Sequence, residues 1–244
     1  MKSKVFKAIY KIFWTALDWV YPPECAVCGV PGDRLCDNCL EQIQFSNSRV
    51  NASDGELYPQ HNSQDKISQD VPLPHSCRRH LAEYEGVMRE CIHALKYENN
   101  QGLGIYFSSR LAAFIRNMNW IINLVIPVPL SPERIRERGY NQSALIARPL
   151  SYALDLDYTS YGLKRIKHTH SQVGLSALER QRNVRGAFTA LPEVISGKRI
   201  LLVDDVTTTG ATLQACAIAL AAADAQFIYA VTLAGFSKEV SLMD

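Results

Sequence analysis

Four apolar residues, Ile200-Leu201-Leu202-Val203, run straight into Asp204-Asp205 and then into Val206-Thr207-Thr208-Thr209-Gly210, ahead of an Ala- and Leu-rich stretch from Ala211 to Ala223. A short apolar run bounded by turn residues reads as a buried strand. Ala and Leu lose little side-chain entropy in a helix, so strand, loop and helix follow one another around residue 205. That order directs the chain to an α/β fold, a parallel sheet whose strands are joined by crossover helices. From Asn119 onward the pattern repeats, with clear strands at Leu124 to Val128, Arg199 to Val203 and Ile228 to Leu233 and a weaker one near Tyr161 to Ile166.

In such a unit the ligand lies beyond the carboxyl ends of the strands, where a starting helix offers free N–H groups and a positive dipole end. Thr207, Thr208, Thr209 and Gly210 form a polar turn suited to a phosphate, with Gly210 allowing close backbone approach and Ala211 and Thr212 continuing into the helix. Asp204 and Asp205 are expected to face the crevice and not the core. Carboxylates beside a phosphate repel it unless a hydroxyl-rich group or a metal lies between them. A ribose 5-phosphate meets that need, with its diol at the acids and its phosphate at the turn. A Walker B strand also ends in acids, but the chain has no G-x-x-x-x-G-K-[ST] partner, and Gly102-Leu103-Gly104 lacks the third glycine of a dinucleotide fingerprint. A simple capping turn accounts for one acid or Thr and not for the whole run.

A pyrophosphate calls for cations in fork geometry, which Arg provides better than Lys. Arg134, Arg136 and Arg138 follow the strand ending at Val128 and are expected at the same crevice. A second basic stretch, Lys164 to Arg185, contains Gln172, Arg180, Arg182 and Arg185, has Gly174 and Gly186 as candidate hinges, and has the character of a lid or binding loop.

Cys25-x2-Cys28-x7-Cys36-x2-Cys39 places two thiolate pairs on turns joined by a short Gly- and Pro-containing hairpin, so four sulfurs can close on one tetrahedral zinc ion. With every position taken by sulfur, the zinc is structural and not catalytic. Cys77-x2-His80 has the spacing of half a site but no companion pair, while Cys91 and Cys216 fall in apolar helical patterns and read as buried small hydrophobes.

The 244 residues, 47% hydrophobic and 20% charged, allow one full core plus a small module. At a formal charge of +2, any polyanion binding must come from local clusters of Lys and Arg. Four regions are expected. Residues 1–21 form an amphipathic helix, with Lys4, Lys7, Lys11 and Asp18 opposite Phe6, Ile9, Phe13 and Leu17; it packs on the body or a partner subunit, or touches a membrane surface. Its apolar run is far shorter than the roughly 20 residues of a membrane span, which makes the cytoplasm the expected compartment. Residues 22–45 form the zinc knuckle, 46–80 a polar insertion read as mobile, and 81–244 the α/β domain.

Val203-Asp204-Asp205-Val206-Thr207-Thr208-Thr209-Gly210 resembles the phosphoribosyl pyrophosphate motif of type I phosphoribosyltransferases. Together with Pro127-Val128-Pro129-Leu130, Arg138-Gly139-Tyr140-Asn141-Gln142, Thr169-His170-Ser171-Gln172-Val173-Gly174-Leu175, Glu179-Arg180 and Asn183, the chain resembles the ComF/GntX family of competence-associated proteins from Pro22 to about Gly235. The resemblance implies a type I phosphoribosyltransferase-like parallel sheet with flanking helices behind a zinc-binding module, and a part in natural transformation or use of external DNA. It also implies displacement of pyrophosphate from phosphoribosyl pyrophosphate with Mg²⁺. In that reading Asp204 and Asp205 hold the ribose, Thr207 to Thr212 the 5-phosphate, with Val206 part of the same ligand-binding run, and Arg134, Arg136 and Arg138 the pyrophosphate, while the basic loop closes over the site. The acceptor is not legible. The alternative is a non-catalytic protein that binds single-stranded DNA or assembles with the DNA-uptake machinery, Tyr140 or Phe188 stacking on bases.

Overall fold

The computed structural model describes residues 22–46, 76–167 and 184–236, together with Ile12 and Trp19. The rest of the expected amino-terminal helix, the insertion between residues 47 and 75, and Gln172, Arg180 and Arg182 lie outside the described residues.

The elements in order are α1 (Asp37–Leu40), β1 (Ser76–Glu83), α2 (Gly86–Tyr97), α3 (Gly102–Arg116), β2 (Leu124–Pro127), α4 (Pro132–Arg138), α5 (Gln142–Leu154), β3 (Asp157–Tyr158), β4 (Leu163–Arg165), β5 (Phe188–Ala190), α6 (Pro192–Ile195), β6 (Arg199–Thr207), α7 (Ala211–Ala222) and β7 (Phe227–Gly235). Five strands form a sheet in the order β1-β7-β6-β2-β3, and each neighbouring pair is parallel. Along β6 the side chains alternate between two cores, as the two-residue period of a strand requires. Leu201 and Val203 face α2, α3 and α5, while Ile200 and Leu202 face α7 and the small β4–β5 sheet. Both faces are therefore covered, which is why Ile200 to Val203 read as an unbroken apolar run.

The central pair β2 and β6 sets the position of the site. The chain leaves β2 toward α5 on one face and leaves β6 toward α7 on the other, so a crevice opens between their carboxyl ends.

Three sequence expectations change. Strand β6 continues through Asp204 to Thr207, pairing Asp204 with Thr232 and Thr207 with Gly235, so the turn shrinks to the residues just after it. The weak strand near Tyr161 to Ile166 does not join the parallel sheet. Only Leu163–Arg165 is extended, antiparallel to β5, because Tyr161 and Ile166 are each 60% exposed and lack the two-sided burial of a parallel strand. Strand β1 begins at Ser76, within the region read as insertion. The sequence Ser-Cys-Arg-Arg-His-Leu-Ala-Glu is polar, yet as an edge strand it needs only β7 as ladder partner. Its outer side is met by the chain leaving the knuckle, through Ser46 N–H to Leu81 O and Glu83 N–H to Gln44 O, both 2.9 Å.

The knuckle is not a separate bead. Cys25, Leu35, Cys39 and Ile43 belong to the same core cluster as Cys91 and Leu95 of α2. Arg34 lays its guanidinium against Gly102 at the head of α3. No helix among the described residues is long and apolar enough to cross a membrane.

Candidate functional site

The two acids end up buried, not facing open solvent: Asp204 is 9% exposed and Asp205 3%. Ser143, in the first turn of α5, donates its hydroxyl to Asp204 Oδ1 at 2.7 Å, and the Asp205 N–H reaches the same oxygen at 2.9 Å. Asp205 Oδ1 accepts the Val206 N–H at 2.8 Å. Its Oδ2 accepts no well-angled hydrogen bond but lies 2.9 Å from Lys96 Nζ, and charge attraction holds that pair. Burial, and then the neighbouring Asp205 charge, push the Asp204 carboxyl up to about 7 against the opposing pull of Ser143 and Lys96. Burial works against the charged form of Lys96 as well, but the Asp205 charge outweighs it and the ammonium titrates above its ordinary range.

Beyond the acids, Thr207 is buried with its Oγ1 unpartnered, and Thr208 and Thr209 are exposed. Gly210 caps the N-terminus of α7 at φ 79°. Arg78, from edge strand β1, sets its guanidinium where a side chain on residue 210 would stand. Glycine is favoured there by the left-handed backbone, whereas the Arg78 guanidinium ends a flexible side chain that can give way. Gly210→Ala is expected to lower stability by about 1–2 kcal/mol. A thermal melt checks it, and an unchanged midpoint would contradict this turn geometry.

The three arginines do not share one surface. Alternate residues on a helix are about 200° apart, so Arg134 and Arg138 lie on one side of α4 and Arg136 on the other. Arg136 is largely exposed and pairs with Glu133 at 3.6 Å. Arg138 lies over the Tyr97 ring at 4.8 Å and donates to its hydroxyl at 3.2 Å. Arg165 of β4 is held below its usual range by burial and then by the nearby Arg134 charge, with Asp204 drawing it the other way. This gathers positive charge close to the acids from a residue the sequence reading passed over.

Of the two aromatics proposed to stack on bases, Phe188 is buried and Tyr140 half-buried. Tyr140 donates its hydroxyl to Leu95 O at 2.7 Å, and Phe188 is buried beneath Arg165 at 5.6 Å. Sequence reasoning also missed Lys96, Ser143 and Arg78. A signal for Lys96 was present: it continues the i, i+4 row of Met88 and Ile92, both buried, so a charge there had to meet a partner inside. Arg78 gave none, because sheet pairing brings it to Gly210 from far away in sequence.

At the knuckle, one sulfur from each of Cys25, Cys28, Cys36 and Cys39 lies within 4.8 Å of the others, with Cys28 and Cys36 at 3.6 Å. Tetrahedral zinc with sulfur at about 2.3 Å sets its ligands roughly 3.8 Å apart, so the donor set fits. Burial raises the Cys25 thiol, but the backbone N–H groups of Cys28, Cys36 and Val27 outweigh it and bring the thiol down to about 6, favouring the thiolate that zinc needs. Cys77 and His80 gain no third ligand among the described residues; His80 instead pairs with Glu83 at 3.3 Å. Cys91 and Cys216 are buried as expected.

Comparison with known proteins finds domain models and relatives that share these features. Residues 16–61 match the double zinc ribbon domain and residues 141–241 the phosphoribosyl transferase domain. Within the first match the only cysteines are Cys25, Cys28, Cys36 and Cys39, enough for one zinc and not two. The chain is 45% identical over 91 residues to Competence protein F of Haemophilus influenzae, covering 36% of this chain and 40% of that protein. It is 33% identical over 138 residues to the DNA utilization protein YhgH of Escherichia coli K12, covering 54% and 60%, and 29% identical over 147 residues to Competence protein ComFC of Bacillus subtilis, covering 55% and 54%. The matched segments thus span less than two thirds of these relatives. Among solved structures, the glutamine phosphoribosylpyrophosphate amidotransferase of B. subtilis aligns at 22% identity and a TM-score of 0.37, over 52% of this chain and 25% of that one. The chain thus joins a match to the double zinc ribbon domain to a match to the phosphoribosyl transferase domain, and it is similar in sequence to competence and DNA utilization proteins.

Proposed function

We propose that the chain binds a ribose 5-phosphate ligand, such as phosphoribosyl pyrophosphate, along Asp204 to Thr212, and that it serves DNA uptake or the use of external DNA, as the names of its relatives imply for them. The observation that carries the ligand reading is the buried acid pair at the carboxyl end of β6, tied to α5 by Ser143 and followed by a hydroxyl-rich turn. Asp204 takes a ribose hydroxyl through Oδ2, the carboxylate oxygen to which no partner is assigned among the described residues. Thr207, Thr208, Thr209 and the backbone of Gly210, Ala211 and Thr212 surround the 5-phosphate, with Arg78 beside them. Arg134, Arg138 and Arg165 serve the pyrophosphate better than Arg136 does. Transfer to an acceptor would break the C1–pyrophosphate bond and form one to the incoming nucleophile, assisted by positioning and charge.

Calorimetry tests the reading. Asp205 is kept intact, since Asp205→Asn strands the Lys96 charge inside the protein. Asp204→Asn keeps the shape of the acid but weakens its hydrogen bonds to the diol, at an expected cost of about 1.5–3 kcal/mol in affinity for phosphoribosyl pyrophosphate. Thr208→Val should weaken ribose 5-phosphate alone. No heat from the folded wild-type protein with either ligand removes the phosphoribosyl site.

A further inference from the structure

The acid pair does not suit direct coordination of a magnesium ion. Three of its four oxygens are already engaged: Asp204 Oδ1 by Ser143 and the Asp205 N–H, Asp205 Oδ1 by the Val206 N–H, and Asp205 Oδ2 by Lys96. A divalent ion compact enough to bridge the acids would have to approach an ammonium group 2.9 Å from Asp205, in a setting where the Lys96 and Asp205 side chains are only 15% and 5% exposed. Low exposure leaves little water to screen that repulsion. Lys96 also lies in the last turn of helix α2, whose carboxyl terminus favours a cation.

We propose that Lys96 supplies from within the protein the positive charge that a divalent cation would otherwise bring to Asp204 and Asp205, so that the ribose end of the ligand is bound without a metal bridge. This rests on the phosphoribosyl reading above and names Lys96 as a positioning residue for it. Any magnesium in the complex then travels with the pyrophosphate oxygens, and a ligand lacking pyrophosphate has no use for it. Removing the ammonium reverses this: with Asp205 bare, the pair becomes a place where a metal can substitute.

Ribose 5-phosphate is the discriminating probe, because it carries the diol and the phosphate without the pyrophosphate. Titrated calorimetrically into the full chain, it is expected to bind wild type equally well in EDTA and in millimolar Mg²⁺. Lys96→Met is expected to lose about tenfold or more in EDTA and to regain part of it with Mg²⁺, while Lys96→Arg stays metal-independent. A structural defect alone would not be reversed by Mg²⁺. A wild type that needs Mg²⁺ for ribose 5-phosphate, or Lys96→Met binding as well as wild type in EDTA, overturns the proposal and leaves the phosphoribosyl reading standing. Absence of binding by folded wild type under both conditions overturns that reading and this proposal with it. If Lys96→Met does not fold, the comparison of wild type with and without Mg²⁺ decides.

Discussion

Stripping zinc with a chelator, or replacing Cys39 by Ser, is expected to destabilise the whole protein and not just the knuckle. Cys25 and Cys39 are each 3% exposed and pack in the cluster that includes Met88, Cys91 and Leu95 of α2 and Leu103 of α3. Structural zinc contributes apparent folding free energy on the order of 10 kcal/mol. Even half of that lost corresponds to a melting temperature lower by roughly 10 °C or more for a domain of this size. The loss should reach α2, and with it the Lys96 contact to Asp205. Metal analysis and thermal melts of the same samples check this: about one zinc per chain is expected, falling together with the melting temperature. A metal-free, reduced protein with an unchanged melt would overturn it.

Asp204→Asn is expected to stabilise the fold while weakening ligand binding. A carboxyl whose folded-state pKa is raised contributes stability that is present below its unfolded value, near 4, and lost as pH rises through its folded value of about 7. Over that window the wild type weakens because Asp204 must ionise in a buried place. Asn has no such proton to lose, and its carbonyl can still accept from Ser143 and the Asp205 N–H. At pH 8 the variant should therefore exceed wild type by on the order of 2–4 kcal/mol, a gap that closes toward pH 4. Melts across pH 4 to 8 measure it. A constant difference between the two proteins, or a wild type growing more stable from pH 4 to 7 relative to the variant, would sink the claim. The trade is the one expected of a site kept for function at a cost in stability.

Most of what was legible depended on neighbours in sequence. Strand, acids, Thr-Gly turn and helix lie within one segment, and so do the two cysteine pairs, so their chemistry is set by local spacing. The polar edge strand β1 was not legible, because its pattern resembles a loop and only its ladder with β7 makes it a strand. The sequence sends all three arginines of α4 to one crevice because they follow the same strand end. The helix turns them apart, and Arg165 comes in from β4 instead.

By itself the sequence determined the α/β order, the phosphate-type turn after β6 and the four-sulfur knuckle, because each is a periodicity or spacing that the backbone converts directly into geometry. Only the tertiary structure decided that the acids are buried and already partnered. Lys96 is 109 residues from Asp205, Ser143 is 61 from Asp204 and Arg78 is 132 from Gly210, and no local rule joins them. A charge in water needs no partner, whereas a buried one is costly until it finds its opposite. Packing α2 and α5 over the carboxyl end of β6 created that requirement, and side chains distant in sequence meet it.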